Sequence, residues 1–237
     1  MKKILIISIA GMLGIASYWM YSILKTDRVS GPLTIEKDDA KSLDVEIEFG
    51  AGNLLIEGGA KQWVNGDINT NVKKWYPTVV YKNKRNVGYV EIHQKTKGLS
   101  ALGKKKNDWQ VQLTNEVPVN LDVEMGVSDA ELDLAGIRLS HLSVDAGVGD
   151  TTVNLADDWK DSFDAEFDLG VGDAEIRLPQ KTGVKLTVSK GVGSINAKGF
   201  ISEGKGVYVN EAYGKTDIDI HLKVDVGVGE VTFLLVE

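Results

Sequence analysis

The chain has 237 residues, with 26 glycines, 4 prolines, no cysteine and a formal net charge of −7. The missing cysteine excludes a disulfide scaffold, thiolate metal ligands, a cysteine nucleophile and a lipid-modified N-terminal cysteine. Residues 1–108 hold 17 Lys and Arg against 11 Asp and Glu, whereas residues 109–237 hold 10 against 23; an acidic half of this kind lacks the basic surface a nucleic-acid partner requires.

The N-terminus reads MKKILIISIAGMLGIASYWMYSILKTDR. Lys2 and Lys3 precede 21 uncharged residues, 4–24. At about 1.5 Å per residue a helix of that length covers the roughly 30 Å hydrocarbon core. Tyr18, Trp19 and Tyr21 crowd its far end, where aromatic rings favour the interface. Gly14 and Ala16 would also suit signal-peptide cleavage after Ala16, but the apolar run continues through Trp19, Met20, Ile23 and Leu24. The expectation is an uncleaved membrane anchor over residues 1–28. The chain would then be a single-pass cell-membrane protein, with the membrane as one partner and its C-terminal domain extracytoplasmic.

Residues 31–97 read as a β region of irregular spacing. Leu43, Val45, Ile47 and Phe49 alternate, Gly50-Ala51-Gly52 follows, and Leu54 and Ile56 resume the alternation. Strand-like runs cover 63–72, 78–81 and 88–93. Residues 98–108 form a polar loop without periodicity. Its Lys104, Lys105 and Lys106 read as a solvated cluster able to touch anionic headgroups.

Residues 109–237 repeat one pattern. In FDLGVGDAEIRL, residues 167–178, the apolar positions Phe167, Leu169 and Val171 alternate in one phase and Ala174, Ile176 and Leu178 in the other. A flat strand cannot change face in this way, but two strands meeting at a corner can. Six such corners occur, centred on Ala51, Val127, Val148, Val171, Val192 and Val228. Their apolar central residue is expected to point into the core. First glycines at 126, 147, 170 and 191 give steps of 21, 23 and 21 residues, and the next step, to 227, is 36. Regular steps predict a solenoid. The predicted fold is all-β, a roughly triangular single-stranded β-helix of about 21-residue coils, with an insertion in one coil. The C-terminal run 231–236 lacks a cap, so end-to-end association or docking there is expected.

Chemistry is sparse. Asp129, Asp150, Asp173 and Glu230 recur just after corners, like the carboxylates of calcium-binding β-rolls, but the period is wrong and outward turn carboxylates are the simpler reading. His93, His141 and His221 lie in or beside strand-like runs without ligand-spaced partners. Glu131 with Asp133, and Glu175 with Arg177, project outward as alternation requires. No nucleophile elbow, HExxH or phosphate-binding loop occurs. No catalytic, cofactor-binding or metal residue is assigned, and no enzyme activity is expected.

Residues 44–63 (DVEIEFGAGNLLIEGGAKQW), 76–81 (YPTVVY) and 89–94 (YVEIHQ) resemble the N-terminal toast-rack domain of bacterial membrane-anchored proteins. The later GVGD units resemble repeats of related "putative adhesin" proteins and of the extracytoplasmic part of LiaF-like proteins. The resemblance implies a β-helix on the cell-envelope side with no established catalytic residues. LiaF-like proteins are linked to sensing of cell-wall-active antibiotics, but they carry several N-terminal transmembrane helices and this chain has one candidate. The expected function is a non-catalytic interaction or scaffold module at the cell envelope, tied to envelope stress, with an envelope protein or cell-wall polymer as partner. The alternative is a carbohydrate-active β-helix enzyme or a glycan-binding adhesin.

Overall fold

The computed structural model describes residues 29–94 and 105–237. In chain order the strands are β1 (Val29–Ile35), β2 (Ser42–Gly58), β3 (Val64–Thr70), β4 (Thr78–Lys84), β5 (Val87–His93), β6 (Asn107–Leu113), β7 (Val119–Asp133), β8 (Leu139–Val148), β9 (Thr151–Asn154), β10 (Phe163–Val171), β11 (Ala174–Pro179), β12 (Gly183–Asn196), β13 (Ile201–Gly204), β14 (Val207–Val209) and β15 (Asp219–Val236). One 3-10 turn, Lys73–Trp75, follows β3.

The phase switch in the sequence is a bend between two sheet faces. On the first face the strands run β4-β5-β2-β7-β8-β10-β15-β12-β14-β13, and on the second β1-β3-β6-β2-β7-β9-β11-β15-β12. Strands β2, β7, β12 and β15 pass round the corner and belong to both. The rungs are parallel and in register, with Phe49 beside Met125, Met125 beside Ala146, and Leu169 beside Ala146 and Val226. After the corner Leu54, Leu132, Val153, Ile176 and Phe233 take up the inward phase, all buried. The corner backbone stays hydrogen-bonded from rung to rung, Gly149 N to Val171 O at 2.9 Å and Gly172 N to Val228 O at 3.0 Å. The chain then returns to the first face through turns such as 134–139, whose Leu134, Ile137 and Leu139 are buried. One buried apolar cluster runs from Leu33 to Phe233. Burying each such large side chain stabilises the fold by about 1.5–3 kcal/mol.

Three expectations are corrected. The rungs do not stack as a simple single-stranded solenoid in chain order. The spatial order is β2, β7, β8, β10, β15, β12, so the last strand lies between β10 and β12 and pairs with both. Antiparallel strands also close both flanks, β1-β3-β6 and β4-β5 at one end and the β13-β14 hairpin at the other. The 36-residue step therefore carries the chain past one rung position and back to fill it. For the same reason the run 231–236 is not an open end throughout: Val231 and Thr232 pair with β11 and β12, residues 233–236 pair with β11 alone, and Val231 and Phe233 are fully buried.

The N-terminal transmembrane helix is the third. Among the described residues no helix is long and apolar enough to cross a membrane, and the span expected at residues 4–24 lies outside them. The single-pass membrane localisation rested on that helix, and no helix among the described residues supports it.

Candidate interaction site

The corner valines are exposed, against the expectation that they enter the core. Val127 is 60% accessible, Val148 and Val171 49%, Val228 46% and Val192 70%. Alternation carried through the corner would point Val171 inward, but the chain bends here and turns the valine to the convex side, through a positive φ at Gly172 (+144°) and without one at Ser128 beside Val127. The register places Ala51, Val127, Val148, Val171, Val228 and Val192 side by side on successive rungs. At about 4.8 Å between rungs, the five valines form a straight apolar ridge about 19 Å long. Contiguous exposed apolar surface of this kind marks contact sites, whereas scattered apolar residues do not.

Carboxylates run along both flanks of the ridge. On the first face, three residues before each corner centre, Glu48, Glu124, Asp145, Asp168 and Asp225 stand on adjacent rungs. Among the described residues no basic side chain pairs with Glu124, Asp145 or Asp168. Burial pushes the Glu124 carboxyl above its ordinary value, and Glu48, Asp122, Asp145 and Glu46 push it further. Like charges opposite one another on neighbouring strands destabilise a sheet, so solvation alone does not account for the row; serine or threonine would serve without repulsion.

The second row, two residues after each corner centre, contains Asn53, Asp129, Asp150, Asp173, Glu230 and Ser194. Part of it has a structural task. Asp150 Oδ1 accepts from Asp173 N at 3.0 Å, and Asp173 Oδ1 accepts from Glu230 N at 2.9 Å, so each carboxylate caps the next rung. Shallow concavities lie on both flanks. One of about 350 Å³ is lined by Glu48, Glu124, Met125 and Asp145. Another of about 480 Å³ is lined by Val127, Asp129, Val148, Lys106 and Asp108.

The other residues singled out in the sequence are dispersed. Glu175 pairs with Arg177 at 2.8 Å, and Asp133 accepts from Asn154 Nδ2 at 2.8 Å, so neither outward pair forms a catalytic carboxylate couple. Lys105 lies 5.2 Å from the Trp75 ring centroid and Lys106 pairs with Asp108 at 2.9 Å, so both charges are engaged within the chain; Lys104 lies outside the described residues. His141 and His221 flank Asp164 on adjacent rungs, with His221 Nδ1 3.3 Å from Asp164 Oδ1.

His93 stands beside Glu48 on the neighbouring strand, Nδ1 to Oε2 at 2.9 Å. Burial pulls its pKa down, but Glu48, Glu46 and Glu91 outweigh that and hold it above the ordinary histidine value. The ligand atoms of Glu46, Glu48 and His93 lie within 4.8 Å of one another. One imidazole nitrogen and two carboxylates could hold a divalent cation, and the His93–Glu48 ion pair equally satisfies the group without one. Sequence spacing gave no sign of this cluster, because only the pairing of β2 with β5 sets His93 beside Glu48 and near Glu46.

The model of the family described as the N-terminal domain of toast_rack, DUF2154, matches residues 25–177. A solved structure of a "putative cell adhesion protein" from Clostridium sporogenes ATCC 15579 is 30% identical, with a TM-score of 0.86 over 89% of this chain and 100% of that one. A "putative adhesin" from Bacteroides fragilis NCTC 9343 is 14% identical over 87% of this chain and 98% of that one, and its TM-score of 0.34 is too low to carry an argument. No curated protein matches the chain.

Proposed function

We propose, from the premise that this chain belongs to the toast-rack family, that it is a non-catalytic extracellular interaction module whose contact surface is the valine corner. The observation that carries this reading is the in-register exposure of five valines along one edge. The name of the Clostridium sporogenes relative supports the adhesive class. The partner is an envelope protein or cell-wall polymer, and the rigid sheets serve to hold the ridge straight.

Beads carrying the full chain should retain bacterial envelope preparations, and the substitutions Val148→Lys, Val171→Lys and Val228→Lys together should abolish that retention while the melting temperature holds. Equal retention by this variant would remove the ridge as the contact surface. Release of reducing ends from cell-wall polymer during the same incubation would overturn the non-catalytic assignment.

A further inference from the structure

We infer that the partner element recognised by the ridge is a basic amphipathic helix, with an apolar stripe that lies along Val127, Val148, Val171 and Val228 and with Lys or Arg on both borders of the stripe. This rests on the reading of the ridge as the contact surface, and it adds the chemistry of what lies there.

The first argument is spacing. Rungs repeat at about 4.8 Å and an α-helix at about 5.4 Å per turn, so a helix laid along the ridge offers one apolar residue to each valine over four turns. About 14 helical residues span the 19 Å of ridge.

The second argument is charge on both sides of the apolar line. Glu124, Asp145 and Asp168 on one flank have no basic partner among the described residues, and Asp129, Asp150 and Asp173 stand on the other. Long basic side chains lay their methylenes on apolar surface and carry the charge beyond it. From a helix on the ridge they reach down either slope into the acid-lined concavities. The chain already contains one lysine seated this way: Lys106 Nζ is 2.9 Å from Asp108 Oδ2, within the concavity that Val127 and Val148 border.

The same charges argue against other occupants. An anionic lipid surface meets carboxylates on both slopes. A second copy of this chain, docked ridge to ridge about a two-fold axis, sets like rows against like rows. A neutral glycan can donate hydroxyls to the carboxylates but brings no positive charge to offset their mutual repulsion.

The test uses the full chain and three labelled 18-residue peptides: leucine and lysine at helical period, the same composition scrambled, and a leucine–glutamate counterpart. Fluorescence anisotropy should show binding of the periodic leucine–lysine peptide, weaker binding of the scrambled peptide by at least about tenfold, and none of the acidic one. Val127→Thr, Val148→Thr and Val171→Thr together keep β-branching and shape, and Asp145→Asn with Asp168→Asn removes charge without touching the carboxylates that cap backbone. Each set should weaken binding at least about tenfold at unchanged melting temperature. Equal binding of periodic and scrambled peptides, or no loss in either variant, would overturn the inference. Ridge-dependent envelope retention without binding of the leucine–lysine peptide would also overturn it, while leaving the interaction module standing. Loss of ridge dependence in the envelope assay would bring down the underlying reading itself.

Discussion

The carbonyl oxygen of Gly172 occupies the space that a side chain on Gly229 would need. The two residues face each other on adjacent rungs, both at positive φ, +144° and +148°. These two rungs can therefore stack this closely only because Gly229 lacks a Cβ; the outward turn itself is common to all the corners, since Val127 is exposed with Ser128 in the equivalent place.

Gly229→Ala should accordingly destabilise the protein strongly. The backbone conformation alone costs on the order of 1–3 kcal/mol for a residue with a Cβ, and the overlap with Gly172 adds to it. Gly214→Ala is the control: φ is +71° and nothing lies within 4 Å of the added methyl group, so its loss should be only about 1–2 kcal/mol. Urea midpoints of the two variants make the comparison.

Core and ridge should respond to truncation with very different magnitudes. Phe233 is fully buried on β15, beside Ile176 of β11 and against the Phe200 ring, and Phe233→Ala should cost about 3–5 kcal/mol. Val148→Ala on the ridge should stay within about 0.5 kcal/mol of the parent. Equal losses in chemical denaturation would contradict the exposure of the corner valines.

Asp38 ties the loop between β1 and β2 to two later segments, the one at Trp63 and β4. Its Oδ1 accepts from Ala40 N at 3.0 Å, Trp63 Nε1 at 3.0 Å and Tyr81 Oη at 2.7 Å, and its Oδ2 accepts from Asn83 Nδ2 at 3.0 Å. Burial pushes its pKa up, but the hydrogen bonds from Asn83, Ala40, Tyr81 and Trp63 outweigh that and hold it well below the usual carboxylate range. Burial and the Asp38 carboxylate push Tyr81 up to about 12. A depressed carboxyl pKa stabilises the fold above the unfolded value, near about 3.9, and that contribution fades as pH falls toward the folded value. Asp38→Asn should thus be less stable than the parent at pH 7, and the gap should close in urea titrations carried below pH 4.

Glu124 carries the opposite sign. Its pKa is raised by burial and by its acidic neighbours, so its ionisation costs stability, and lowering the pH through its folded value returns that stability. Glu124→Gln should raise the melting temperature at pH 7 and lose its advantage at acidic pH, where the parent carboxyl is protonated. A lower melting temperature at pH 7 would mean that the carboxylate makes favourable contacts that outweigh the repulsion.

Alternation and glycine placement were enough to locate the repeated strands and their corners. Leu169 and Ala174 are five residues apart and both buried, an odd spacing that alternation permits only if the chain turns between them, and glycines on either side of Val171 mark where. The sequence also showed that the acids point outward, because each alternates with a buried residue. The outward direction of Val171 was not legible, since it depends on how the stacked corners bend and local alternation argues the other way. The carboxylate row was hidden for another reason: Glu48, Glu124, Asp145, Asp168 and Asp225 become neighbours only through the register of five strands distant in sequence. The same holds for His93 beside Glu46 and Glu48. The place of β15 was decided by tertiary structure alone. Repeat spacing reports the length of a coil and says nothing of the order in which coils stack, and the vacant hydrogen-bonding edges of β10 and β12 are satisfied only when the last strand lies between them.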